Sequence, residues 1–183
     1  MEKSRSRYII LGLSDGLFLG LGISLGISFF HNYQLTFASI LLVGISGSLS
    51  NFFSTYNAEN FVLGQQIKEY GRVLFARDYN PNKMTRMKKF KNLIYAEVSF
   101  LSTLLGSFIV LIPYIIYSII GISRNFSDSI ISLALSLAIL AYLGGYHIEK
   151  KADRIKDGLK TAGVGLLIAG VSAITGILIN IFI

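Results

Sequence analysis

The sequence predicts an all-α integral membrane bundle of five transmembrane helices, with the N-terminus cytoplasmic and a short cytoplasmic helical extension between spans 2 and 3. Apolar bulk is the first sign: 52% of the 183 residues are hydrophobic and 15% charged, at a mean hydropathy of +0.60, outside the usual range of soluble proteins. The second sign is where the charge sits. Sixteen of the seventeen Lys and Arg residues fall in three segments, Lys3 to Arg7, Lys68 to Lys91 and Lys150 to Lys160. Basic segments stay on the cytoplasmic side of a membrane. The intervening turns, His31 to Gln34 and Gly121 to Ser129 with Arg124 as its one basic residue, are therefore on the other side. An odd number of crossings leaves the C-terminal Ile181-Phe182-Ile183 outside.

Span 1 runs from about residue 8 to 30. It follows a basic N-terminus as a signal peptide would, but it is long, contains Asp15 and shows no clear cleavage site, so it is read as retained. Span 2 covers about 35–56. The connector 57–92 begins as a helical continuation of span 2, because Phe61, Ile67, Val73 and Leu74 recur among Gln65, Lys68, Glu69 and Arg72. Arg77-Asp78-Tyr79-Asn80-Pro81-Asn82 has the chemistry of a turn, and a second helix starts near Met84. Span 3 covers about 93–117 with Pro113 near its outer end, span 4 about 129–146 and span 5 about 159–182. Five spans of about 20 residues use over half the chain, so residues 1–183 are read as a single transmembrane domain.

Composition excludes several functions. The net charge of +7 follows from the cytoplasmic placement of basic segments, with attraction to anionic membrane lipids as a secondary effect, and nucleic acid is not an expected partner. Without cysteine there are no disulfides, thiolate metal sites or thiol nucleophiles. Neither a zinc-protease helix motif nor a nucleophile elbow is present, so the chain is not expected to be an enzyme and no resident cofactor is implied. The Gly-x-Gly pairs at Gly20 and Gly163 lie inside apolar spans with no preceding strand, which rules out a nucleotide fingerprint.

Asp15 is the most informative single residue. It lies seven residues past the start of span 1, or about 10 Å of helix rise. An ionisable side chain within a membrane span marks an ion or proton pathway by default. The competing reading is a carboxylate that snorkels to the cytoplasmic interface and pairs with Arg7 or a connector lysine. Asn51 belongs to a polar stripe on span 2 with Gly47, Ser54, Thr55 and Ala58. Its oxygen suits a hard cation, or it serves an interhelical hydrogen bond. Glu97, just inside span 3, is either a second pathway carboxylate or a partner for Lys91. Glu59 and Glu69, on the extension of span 2, either gather cations or form a solvated helix face. His147 reads as a lone interfacial histidine.

Glycines mark where helices approach closely. Gly12, Gly16 and Gly20 recur every four residues in span 1. Small residues at this spacing let backbones meet in lipid, where hydrophobic burial adds little. Two readings stand: packing within the chain, or a homodimer interface along span 1.

Arg7-Tyr8-Ile9-Ile10-Leu11-Gly12-Leu13-Ser14-Asp15-Gly16-Leu17 resembles the opening of span 1 in the vacuolar iron transporter family, where a Gly-x-x-Asp-Gly-Leu run carries an essential aspartate. Gly44 to Tyr56 resembles that family's span 2, Gly106 to Tyr114 its span 3, and Leu143 to Leu178 the end of its span 4 and its span 5. The resemblance implies a homodimer with an ion path between two copies of span 1. It further implies export of a divalent metal ion, Fe²⁺ or Mn²⁺, from the cytoplasm in exchange for protons. Asp15 would hold metal and proton in turn, with the inner ends of spans 1 and 2 at the entrance. A multi-pass protein of this kind belongs in the cell membrane if the source is prokaryotic.

The departures from the family pattern are specific. Its span-2 methionine falls on Asn51, its Gly-Glu-Tyr or Gly-Gly-Tyr is Ser54-Thr55-Tyr56, and the extra span-2 glutamate of some members falls on Val43. Many members carry a cytoplasmic domain rich in Glu and Met. This connector instead has eight Lys and Arg against three acids between Asn57 and Lys91. Replacing a soft thioether by an amide oxygen implies harder ions, so Mn²⁺ should be handled at least as well as Fe²⁺. The alternative reading is a non-transporting membrane scaffold or lipid-interacting protein that kept the fold and lost the metal site.

Overall fold

The computed structural model describes residues 2–30, 32–73, 81–120, 125–146 and 151–182. These form five helices: α1 (Glu2–Ser28), α2 (Tyr33–Val73), α3 (Pro81–Ile120), α4 (Asn125–Gly145) and α5 (Lys151–Phe182). Each is long and apolar enough to cross a membrane, and no strand occurs among the described residues. Helices are the natural solution here, because every backbone N–H and C=O is satisfied within the segment.

The helices run longer than the apolar stretches alone. α2 continues without interruption through the expected extension, 41 residues in all. α3 opens at Pro81, ahead of the expected start at Met84. Proline suits a first helical position, where its missing N–H would have had no partner. The rest of the expected turn lies outside the described residues, as does His147. α5 begins at Lys151 rather than Leu159, so the third basic segment is helical from Lys151 onward, with Asp153 in its first turn facing the positive end of the helix dipole.

α1 is the hub of the bundle, touching all four other helices. Glycine sets each close crossing. A Cβ at Gly16 would run into the Thr103 carbonyl oxygen, and one at Gly106 would meet the backbone of Leu13 and Gly16, so α1 and α3 cross almost backbone to backbone. Gly26 and Gly176 bring α1 and α5 together in the same way, and Gly144 and Gly158 do so for α4 and α5. Leu17, Leu21, Ile40, Val110, Leu111, Tyr114 and Leu140 fill the centre. Large apolar side chains such as Leu42, Leu105, Leu167 and Val171 point outward, the arrangement a lipid surround requires.

Candidate ion-binding site

The close crossing of α1 on α3 decides what α1 shows to the outside. Gly12 packs on Ser99 and Ser102, Gly16 on Thr103 and Ser107, and Gly20 on Val110. All three are buried within the chain. The glycine stripe is thus an intramolecular seam, and a partner copy would meet other residues of α1. The reason is steric: the tightest crossing in the bundle already takes up this face. Asp15, between Leu11 and Leu19 on the same helix, is exposed.

Asp15 is held from α2. The Asn51 amide nitrogen donates to its Oδ2 at 3.0 Å and to Thr103 Oγ1 on α3 at 2.8 Å. The Thr103 hydroxyl in turn donates to the Ser99 carbonyl at 2.9 Å, and Thr55 Oγ1 donates to Ser99 Oγ at 3.2 Å. Asn51 uses both amide hydrogens in this way, which leaves its Oδ1 without a donor among the described residues. The sole ion pair among those residues is Lys160 with Asp157, at 2.7 Å, so Asp15 is not neutralised by Arg7 or by a described lysine.

The polar line continues along α2 toward the end of the bundle that carries the N-terminus. Two turns from Asn51, Glu59 accepts a hydrogen bond from the Tyr8 hydroxyl. Tyr8 stacks on Tyr95 with ring centroids 5.2 Å apart. Asn92 donates to Asn60 at 3.1 Å, and Lys88 to Gln66 at 3.1 Å. Glu59, Gln66, Lys88, Lys91, Asn92 and Tyr95 line a cavity of about 180 Å³. Glu59 therefore faces α1 and α3 instead of forming a solvated helix face. The side chain of Glu69 lies outside the described residues.

Glu97 is elsewhere. It is exposed and lines an apolar groove of about 370 Å³ with Leu49, Phe52, Phe53, Phe100 and Leu101, and Lys91 does not pair with it. The structure thus joins Asp15 to Asn51, puts Glu59 further along the same polar line, and separates Glu97 from both. Among the described residues no three His, Cys, Asp or Glu come together to hold a metal ion, so one chain supplies a single carboxylate at the Asp15 position.

One residue escapes a linear reading altogether. Asp128, in the first turn of α4, is fully buried, and neither of its oxygens accepts a hydrogen bond among the described residues. Tyr114 beside it exchanges hydrogen bonds with Ser24 at 2.8 Å and Ser129 at 2.6 Å. The available signal is the spacing of Ser129, Ser132 and Ser136 on an otherwise apolar helix, all three buried.

Comparison with known proteins adds two findings. A sequence model of the VIT family matches residues 63–177. An uncharacterized protein of Methanocaldococcus jannaschii is 27% identical over 170 residues, covering 91% of this chain and 86% of that protein. The family match begins after Asp15 and Asn51, so the geometry of that pair stands independently of it.

Proposed function

Because the chain belongs to the vacuolar iron transporter (VIT) family, whose members transport metal ions, we propose that it exports a divalent cation, Mn²⁺ or Fe²⁺, from the cytoplasm in exchange for protons, with Asp15 as the binding residue. The observation that carries this is the Asp15–Asn51 pair. A carboxylate about two helical turns inside a span, exposed on α1 and unpaired with any described cation, costs about 2.5–3.5 kcal/mol on insertion scales. A cation that comes and goes at that position accounts for its presence.

Asn51 completes the chemistry. Without metal one amide hydrogen holds the Asp15 carboxylate and the other bonds Thr103. When a cation arrives, the amide turns through about 180° and presents Oδ1, so that two neutral-or-anionic oxygens face the ion. Thr103 then donates to the amide oxygen instead of accepting from the nitrogen. Protonation of Asp15 reverses the exchange. An ion of this kind takes about six oxygen ligands; the exposure of Asp15 supports a reading in which water and a second copy of the chain, meeting the Ile9–Leu11–Asp15–Leu19 face, supply the remainder. The Glu59–Tyr8 pair lies on the cytoplasmic approach to this site.

The test is Mn²⁺ uptake into liposomes under a pH gradient. The wild type accumulates Mn²⁺ and Asp15→Asn does not; equal uptake by both removes Asp15 from the path. A second reading, a non-transporting scaffold that binds lipid, draws on the eight basic and three acidic residues between Asn57 and Lys91, which repel free cations. It predicts that Asp15→Asn changes nothing measurable beyond stability.

A further inference from the structure

We propose that Asp128 is a second proton-binding site of this chain, on the opposite side of the apolar core from Asp15, and that it loads the proton exchanged from the far side of the membrane. The proton-binding part stands on the structure alone; the loading role rests on the exchange reading above.

Burial is the first observation. Asp128 is fully buried and both carboxylate oxygens lack a donor among the described residues. An ionised carboxylate without partners is among the costliest groups a protein interior can hold, and such a site resolves by neutralisation. The second observation concerns what is available to neutralise it. Residues 21–30, 32–45, 104–120, 129–145 and 161–182 contain no Asp, Glu, Lys, Arg or His. Asp128 is thus the sole charged residue among the described residues of that half of the bundle. The titratable group beside it is the phenol of Tyr114 on α3, and Tyr33 on α2 donates its hydroxyl to the Tyr114 carbonyl at 2.5 Å. α1 contributes Ser24, through its hydrogen bond with Tyr114. His31 and Arg124, in the two connecting segments, lie outside the described residues.

The surroundings suit proton transfer. Ser24, Tyr114 and Ser129 form a hydroxyl cluster, with Ser129 Oγ also donating to the Ser24 carbonyl at 3.2 Å. Each hydroxyl can both donate and accept; none of them bonds Asp128 in this structure, so transfer to the carboxyl takes a side-chain rotation. Ser136, buried on the same helix, has a hydroxyl with no partner among the described residues. Below the cluster, Leu17, Leu21, Val110 and Leu111 are packed to within 1% of complete burial. This apolar plug separates Ser24 from Asp15, nine residues earlier on α1 and about 13 Å along the helix. The two carboxylates therefore sit on opposite sides of a barrier, as exchange between two aqueous phases requires.

Infrared difference spectroscopy of the metal-free protein in lipid nanodiscs tests the proton directly. A protonated-carboxyl C=O band is expected at neutral pH in the wild type and in Asp15→Asn, and it is absent from Asp128→Asn. A carboxyl region identical in wild type and Asp128→Asn shows an ionised Asp128 and overturns the proposal. Tyr114→Phe, which keeps the ring and removes one neighbouring hydroxyl, serves if Asp128→Asn does not fold. A shifted Asp128 band supports the site, and an unchanged band overturns its link to the hydroxyl cluster. For loading, Mn²⁺ flux in Asp128→Asn should lose its dependence on far-side pH while Mn²⁺ still binds; a wild-type pH dependence overturns that role. If no variant and no wild type transports metal, the exchange reading fails while the infrared band still decides Asp128.

Discussion

Asn51 on α2 joins Asp15 on α1 to Thr103 on α3 through one amide nitrogen, at 3.0 and 2.8 Å. Three helices thereby meet at a single side chain. In the exchange proposed above, the amide would clamp Asp15 in the metal-free state and offer its oxygen to an arriving cation. Asn51→Leu removes both functions and is expected to weaken Mn²⁺ binding by about 10–100-fold, the usual effect of losing a group that orients a ligand. Asn51→Met is expected to move the preference toward Fe²⁺ relative to Mn²⁺. Competition between the two metals in a liposome assay checks both, and an Asn51→Met protein that still prefers Mn²⁺ to the wild-type degree contradicts the ligand assignment.

Gly16 is the tightest point of the fold. Gly16→Val forces a branched side chain into the α3 backbone at Thr103, and overpacking of this kind costs about 1–3 kcal/mol. Gly163 and Gly170 have nothing within 4 Å of where a Cβ would lie. Gly163→Ala and Gly170→Ala should be neutral or raise stability by about 0.5–1 kcal/mol through helix propensity. Thermal unfolding of the three variants in detergent gives the ranking.

The Tyr8–Glu59 hydrogen bond ties the start of α1 to the extension of α2. Tyr8→Phe leaves a half-buried carboxylate without its donor and should cost about 1–3 kcal/mol. Glu59→Gln in the same protein should recover part of that loss, because the two residues are coupled. Purely additive effects in the double-mutant cycle argue against the pairing.

Glu97 lies in an outward-facing apolar groove apart from the Asp15–Asn51 pair. Glu97→Gln is therefore expected to leave Mn²⁺ affinity within about twofold of wild type, well under the tenfold that 1.4 kcal/mol represents. A loss comparable to that of Asp15→Asn would place Glu97 in the path.

The number and order of the helices are legible in the sequence because apolar length and basic segments are direct consequences of insertion into a bilayer. The identity of contacts is less so. Spacing shows that Gly12, Gly16 and Gly20 share a face, but nothing in a repeat of four names the helix that meets it; α3 does, through Ser99, Thr103 and Ser107. Asp15 and Asn51 stand out as polar residues within apolar runs, and the structure adds that one bonds the other. Asp128 is illegible for the opposite reason. At the edge of a polar turn an aspartate looks solvated, and only the packing of α1, α3 and α4 around it makes it a buried group.

The most direct measurement is the thermal stability of purified protein titrated with Mn²⁺, in the wild type and in Asp15→Asn. At a hundredfold excess over the dissociation constant, binding to the folded state adds about 2.7 kcal/mol. The wild type is expected to show that rise and Asp15→Asn to show none. A Mn²⁺-dependent stabilisation of equal size in both proteins would contradict a cation site built on Asp15.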